Sequence, residues 1–306
     1  EKPDVICIQE VNLPAAAPPG SKRNDGRPRK RGEIGGDSKK AQEERSRVFA
    51  ALRHPCISPY KPYWSLSDWK YAGTCMLIHR DLKPTEIAHV FPGEGGSGAE
   101  KHDPEGRISI AVIRGIEIWT TYVPNSGWDA NRHKRREKWD TRVIKAMRRR
   151  TRLGKFARPL VWVGDMNVCK EDRDASHIKY YRETIYNIKR RHIKPPKNLM
   201  DRGQPGVIPR EQARFRGILD EGKLCDAYRL KNPETDLFKD LTWRGYPPVG
   251  TKVALYYGKG MRIDYTLVSQ DLEKKVVRAD TLGRGKDLQG FMGSDHCPVL
   301  IELLLG

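Results

Sequence analysis

Two acidic clusters, far apart in the chain, hold residue types suited to metal-assisted attack on phosphate. Gly164-Asp165-Met166-Asn167 follows the apolar run Leu160-Val161-Trp162-Val163, and Gly293-Ser294-Asp295-His296-Cys297-Pro298 precedes another. That chemistry needs carboxylates for a hard cation, an imidazole for the anion or a proton, and an amide to orient water. Residues two apart on a strand face the same side. Asp165 and Asn167 could therefore grip one water, the carboxylate taking its proton and the amide oxygen fixing its direction. The competing reading is an Asx turn that merely closes a strand. His296 could bond a phosphoryl oxygen, with a carboxylate holding its tautomer, or could simply be satisfied by loop backbone.

Further candidates sit at other strand ends. Glu10 follows Gln9 after the run Val5–Ile8 and is either a metal ligand or a solvated residue. Arg262 and Asp264 share one face of a strand-like segment. They are a structural ion pair, or Asp264 orients His296 as the third member of a relay. Tyr122 and Asn125, in Tyr122-Val123-Pro124-Asn125-Ser126-Gly127, could hold a phosphate or form an ordinary strand exit and turn.

The elements that must position these groups read as a mixture of hairpins and helical crossovers. Strands are expected over Val5–Ile8, at two places within Tyr63–Arg80, and over Arg107–Arg114 and Ile116–Tyr122, the last two joined by a turn at Gly115. Leu160–Val163, Leu241–Arg244, Arg262–Ser269 and Pro298–Leu304 complete the set. Helices are expected from about Lys40 to Leu52, from Asn131 to Arg152 and over residues 209–222. The second has Trp139, Val143 and Met147 four apart on an inward stripe. Residues 14–40, rich in Pro, Gly, Lys and Arg, read as a disordered basic insertion, and residues 176–205, with Lys189-Arg190-Arg191-His192, as a second basic insertion. Pro92–Pro104 reads as a flexible loop. This pattern indicates α/β or α+β layers rather than a purely parallel sheet. No phosphate-loop or dinucleotide fingerprint opens a helix.

Composition narrows the partner. Among 306 residues, Lys and Arg exceed Asp and Glu by 19, which suits a polyanion because each contacted phosphate releases counterions. The six cysteines form no CxxC pair, so zinc is not expected and an intracellular, reducing compartment is. No stretch approaches the ~20 apolar residues of a membrane span. The chain opens at Glu1 directly into a strand-like run, which reads as a fragment lacking its upstream segment.

In order, Gln9-Glu10, YVPNSG, GDMN, RIDY and GSDH resemble the exonuclease–endonuclease–phosphatase superfamily. Within it the chain resembles most the exonuclease III-like abasic-site (AP) endonucleases. That narrower likeness rests on Trp64–Gly73, Glu105-Gly106-Arg107, Tyr122–Gly127 and Gly206–Glu211. The resemblance implies a four-layer sandwich of two packed mixed β-sheets flanked by helices, as one domain over residues 1–306 that lacks its first strand. It implies a Mg²⁺-dependent (Mn²⁺ tolerated) hydrolase that cleaves double-stranded DNA 5′ to abasic sites in base excision repair. The alternatives are a less selective endonuclease or 3′ exonuclease, and a noncatalytic nucleic-acid-binding relative. Glu10 and Asp295 would serve the metal. Asp165 would activate water with help from Asn167, and His296, oriented by Asp264, would contact the phosphate. Tyr122 and Asn125 would hold the phosphate, Tyr71 and the Gly73 loop would touch the DNA backbone, and Trp243 would bind substrate. Around the pocket for the baseless sugar, the positions expected to be aromatic are Thr242, Met261 and Ile263. A monomer is expected, with no membrane contact, in the nucleus or an organelle.

Overall fold

The computed structural model describes residues 2–22, 25, 27, 29–94, 103–188, 193–249 and 254–305. The run Lys189–His192 and most of the loop expected at 92–104 lie outside them. The chain divides into two compact units, Glu1–Tyr122 with Trp162–Gly164, and Val123–Val161 with Asp165–Gly306.

The first unit is built from two larger antiparallel sheets and a two-stranded one. Its elements are β1 (Val5–Gln9), β2 (Ala15–Ala16), β3 (Lys30–Ile34), α1 (Lys39–Leu52), β4 (Tyr60–Ser65), β5 (Thr74–His79), β6 (Glu86–Ala88), β7 (Ile108–Ile113) and β8 (Ile116–Tyr122). One sheet has the order β1-β5-β4. In the other, β7 lies between β6 and β8. Met76 and Ile78 of one sheet are buried with Ala111 and Ile113 of the other, and Gln9 Nε2 donates to Thr120 Oγ1 at 2.7 Å. Strands buried on both sides read as near-continuous apolar runs, as β5 (TCMLIH) and β7 (ISIAVI) do. Arg114 and Gly115 turn the β7–β8 hairpin, both at positive φ, as a twist-matched two-residue loop requires.

Residues 14–40 are not wholly disordered. β2 pairs with β3, and Leu13, Ala15 and Ile34 share a buried cluster with Leu66. Arg31, buried, bonds the Leu66 carbonyl and reaches Asp68 at 2.7 Å. Average composition hid these few spaced apolar residues and one paired arginine.

The second unit contains α2 (Ala130–Arg152), the ends of β9 (Leu160–Asp165), α3 (Ile178–Arg182), α4 (Pro209–Gly222), β10 (Leu224–Asp226) and α5 (Ala227–Lys231). It continues with β11 (Trp243–Arg244), β12 (Gly260–Met261), β13 (Asp264–Ser269), α6 (Gln270–Glu273), β14 (Val276–Thr281) and β15 (Val299–Leu303). Here β10 pairs with β13, and β14 pairs with β15. Asp129 caps α2, accepting from Arg132 N at 3.0 Å. The inward stripe of α2 packs on α4. Among the described residues, no helix is long and apolar enough to cross a membrane. The molecule is a mixed α/β protein of several sheets and helices, as expected.

Candidate active site

The glycine before Asp165 fixes where that carboxylate leaves its strand. Gly164 has φ +134°, and a Cβ there would lie 2.2 Å from Thr121 O. No side chain fits so close an approach. Asp165 then ends β9, and Met166 N is tied to Ile263 O at 2.8 Å.

The chain does not continue as a strand through Asn167. Asn167 takes φ +49°, and its backbone N–H donates to Asp165 Oδ1 at 2.7 Å. This is the Asx turn, so the shared strand face expected for the two residues is not what aligns them. Their side chains meet nevertheless. Asn167 Nδ2 donates to Asp165 Oδ2 at 2.7 Å and to Val123 O at 2.9 Å, while its amide oxygen accepts from Asn125 Nδ2 at 2.9 Å. The amide is committed to protein partners, and its contribution is to hold Asp165. Asn125 is fixed in turn, its Oδ1 accepting from Gly127 N at 2.8 Å. Beneath this loop lies Arg136 of α2, which donates to Asn167 O at 3.2 Å, to Pro124 O at 3.3 Å and to Asp140 at 2.8 Å. Sequence reading missed Arg136 among many basic neighbours. Its signal is its phase, one turn before Trp139 and Asp140 on the inward stripe.

The second acidic cluster assembles around Thr242. This buried hydroxyl accepts from the amides of both Ile263 and Asp264 at 3.0 Å, and its carbonyl accepts from Cys297 N at 2.8 Å. RIDY and SDH are thereby placed side by side, and Asp264 Oδ2 meets His296 Nδ1 at 2.9 Å. Burial pulls the His296 imidazolium toward neutrality. Asp264 more than offsets this, with help from Asp165 and Asp295, and holds its pKa at about 10. An imidazole that Asp264 favours in its protonated form carries a second N–H, a donor matched to a phosphoryl oxygen. Asp295 Oδ2 accepts from Trp243 Nε1 at 3.0 Å.

Several expected placements change. Thr242, Met261 and Ile263 are buried. The first is a backbone scaffold, and the other two pack in a core cluster with Tyr181 and Val207. Trp243 is occupied in holding Asp295. Arg262 does not pair with Asp264. It bonds Asp174 at 2.9 Å and Asp226 at 2.7 Å, while Arg229 joins Asp174 at 2.8 Å to Asp240 at 2.9 Å. Burial would raise the Asp174 pKa, but Arg262 and Arg229 keep it below the ordinary carboxylate value.

In the first unit, Tyr71 and Tyr122 come together, their hydroxyls 3.5 Å apart. Arg107, buried, sits 4.5 Å from the Tyr122 ring centroid, donates to Tyr122 O at 2.9 Å and is paired with Glu105 at 2.6 Å. Tyr71 is half exposed. Gly73 is buried at φ +86°, its N–H donating to Glu105 O at 2.8 Å and its carbonyl accepting from Val11 N at 3.3 Å. It shapes the Tyr71 loop, its own N–H being committed to Glu105 O. Glu10 is exposed at φ +54°, with no partner among the described residues.

Known proteins resemble this chain over nearly its whole length. A DNA-(apurinic or apyrimidinic site) endonuclease of Arabidopsis thaliana is 39% identical over 303 residues, covering 98% of this chain and 76% of the relative. One from Plasmodium berghei is 30% identical over 325 residues, and the chain spans 57% of its length. The crystal structure of AP endonuclease LMAP from Leishmania major matches with a TM-score of 0.66 at 20% identity, over 100% of this chain and 80% of that one. The model of the endonuclease/exonuclease/phosphatase family matches residues 1–296, and a match of that extent, carried by relatives at these identities, makes this chain a member of that family.

Proposed function

We propose that residues 1–306 form one catalytic domain, a Mg²⁺-dependent phosphodiesterase that cuts double-stranded DNA 5′ to abasic sites and acts as a monomer on nuclear DNA. The family is one of divalent-metal-dependent nucleases, and its AP endonuclease relatives act on DNA. The observation that carries the reading is the Asp264–His296 contact at 2.9 Å, which keeps a charged imidazole within the influence of Asp165.

The donor chemistry fits a hard cation. Mg²⁺ keeps several waters and binds through one or two carboxylates plus substrate phosphate. Among the described residues no group of three or more Asp, Glu, His or Cys is placed to hold a metal ion by itself. Glu10 and Asp295 are the residues assigned to hold it. When bound, the metal would neutralise charge on the phosphate.

The remaining steps belong to the chain. Asp165, held by two donors from Asn167, takes the proton of the water that attacks phosphorus, as the P–O3′ bond breaks and the leaving 3′ oxygen takes a proton from solvent. His296 donates to a nonbridging oxygen and stabilises its growing charge, while Asp264 fixes the ring. Tyr122, backed by Arg107, and Asn125 hold the phosphate, and Tyr71 touches the DNA backbone. Trp243 sets the direction of Asp295.

The test is parallel cutting of abasic, nicked and intact duplexes. Cleavage of the abasic duplex at least ~100-fold faster is expected from a site tuned to one substrate. Equal rates would overturn the repair assignment in favour of a less selective nuclease.

A further inference from the structure

The outward side of α2 has no part in the site. Its inward side buries Arg136, Trp139, Val143 and Met147. At 3.6 residues per turn, the opposite direction holds Lys134, Lys138, Thr141, Lys145, Arg149 and Arg152, all exposed. No carboxylate interrupts this row, and Glu137 lies at its edge. Lys134, Lys138, Lys145 and Arg152 have no hydrogen-bond or ion-pair partner among the described residues.

This arrangement works against the helix itself. Like charges four apart, such as Lys134 with Lys138 and Lys145 with Arg149, repel each other. The first turn of α2 carries no acidic residue, and cations near a helix start oppose its dipole, whereas those in the last turn favour it. Capping and dipole compensation therefore account for Arg149 and Arg152 but not for Lys134, Lys138 and Lys145. An external polyanion would relieve the whole row. From Lys134 to Arg152 the row extends ~27 Å, at 1.5 Å per residue, which matches roughly eight base pairs of duplex at 3.4 Å each.

We propose that the outward face of α2 is a second nucleic-acid surface, one that grips phosphates of duplex DNA not engaged in the active site and reads no sequence. The row faces away from the catalytic turn, because Arg136 on the opposite side of the helix donates to Asn167 O at 3.2 Å. A duplex held at that turn and one lying on the row are different stretches of DNA. The chain's excess of 19 basic residues over acidic ones makes a polyanion its natural complement.

The test variant is K134Q/K138Q/K145Q/R152Q. Glutamine stands close to Lys and Arg in helix propensity, and a circular-dichroism melt checks the fold. With an undamaged duplex of about 40 base pairs, the slope of log affinity against log salt should become shallower by about three to four, and affinity should fall at least ~10-fold near physiological salt. On an abasic duplex of ~10 base pairs, which cannot occupy both surfaces, kcat/KM should be unchanged. An unaltered salt slope would overturn the proposal. A matching loss on the short substrate would also overturn it, by assigning the row to the site's own grip. The binding arm uses undamaged DNA, so it stays readable even if the catalytic assignment fails.

Discussion

At the scale of single residues, the site separates groups that perform chemistry from groups that hold them. Asp165 is assigned the proton, so Asp165→Asn should lower kcat by about 10²–10⁴-fold, with duplex affinity retained in a gel-shift titration. Full activity in that variant would sink the mechanism. Asn167 has a different role. Its side chain bonds Asp165, Val123 O and Asn125. Asn167→Ala should cost about 2 kcal/mol of stability, because buried partners lose their bonds, and should slow turnover as Asp165 loses its support. A thermal melt beside a rate measurement checks both. If Asn167 only oriented water, the melt would not move. The sequence offered two readings of GDxN, a turn or a catalytic pair; the Asx turn forms, and it brings the two side chains together at 2.7 Å. Nothing in the local sequence shows that the amide's partners lie 42 and 44 residues away.

At the scale of elements, close approach and buried charge decide what the strands can carry. Gly164→Ala would drive a methyl into Thr121 O at a φ of +134°. We expect a loss of at least ~2 kcal/mol, by the strain such backbone positions impose, read as a lower denaturant midpoint. Asp174 links α5 to the segment before β13 through Arg229 and Arg262. Its folded pKa lies below its unfolded value. The stability it contributes is thus complete above its unfolded pKa of about 3.9 and is lost as pH falls through the lower, folded value. Asp174→Ala should destabilise by about 3–5 kcal/mol, since it leaves two buried guanidinium groups short of a partner, and should remove that acid limb from a stability–pH profile. An unchanged limb would show that other carboxylates control acid unfolding. Helix α2 was legible nearly to its ends, because a long amphipathic period is a strong local signal. Strands β6, β10, β12 and β14 were not. Three of them have only two or three residues, and β14, VVRADT, is a strand because it pairs with β15.

At the scale of the whole molecule, charge and metal act on different steps. Attraction to DNA is expected from cations spread along the chain, whereas the cleavage step is expected to need a bound divalent ion. Chelation with EDTA should therefore reduce cleavage to background while duplex binding persists, and added Mg²⁺ should restore the rate. Binding lost in step with cleavage would mean that the metal, not the basic surface, holds the DNA. The same division separates the outward face of α2, a binding surface, from its inward face, which braces the Asp165 turn.

The sequence by itself determined the inventory and order of the reactive groups, the excess of positive charge and the main helices, because residue type and periodicity are local properties. Only the tertiary structure decided which group each polar atom serves. It turned Asn167 from a water ligand into the brace of Asp165, Trp243 into the holder of Asp295, Thr242 into the clasp between RIDY and SDH, and part of a supposed insertion into core. A buried donor must find an acceptor, and in a folded chain the nearest one commonly belongs to a segment tens of residues away.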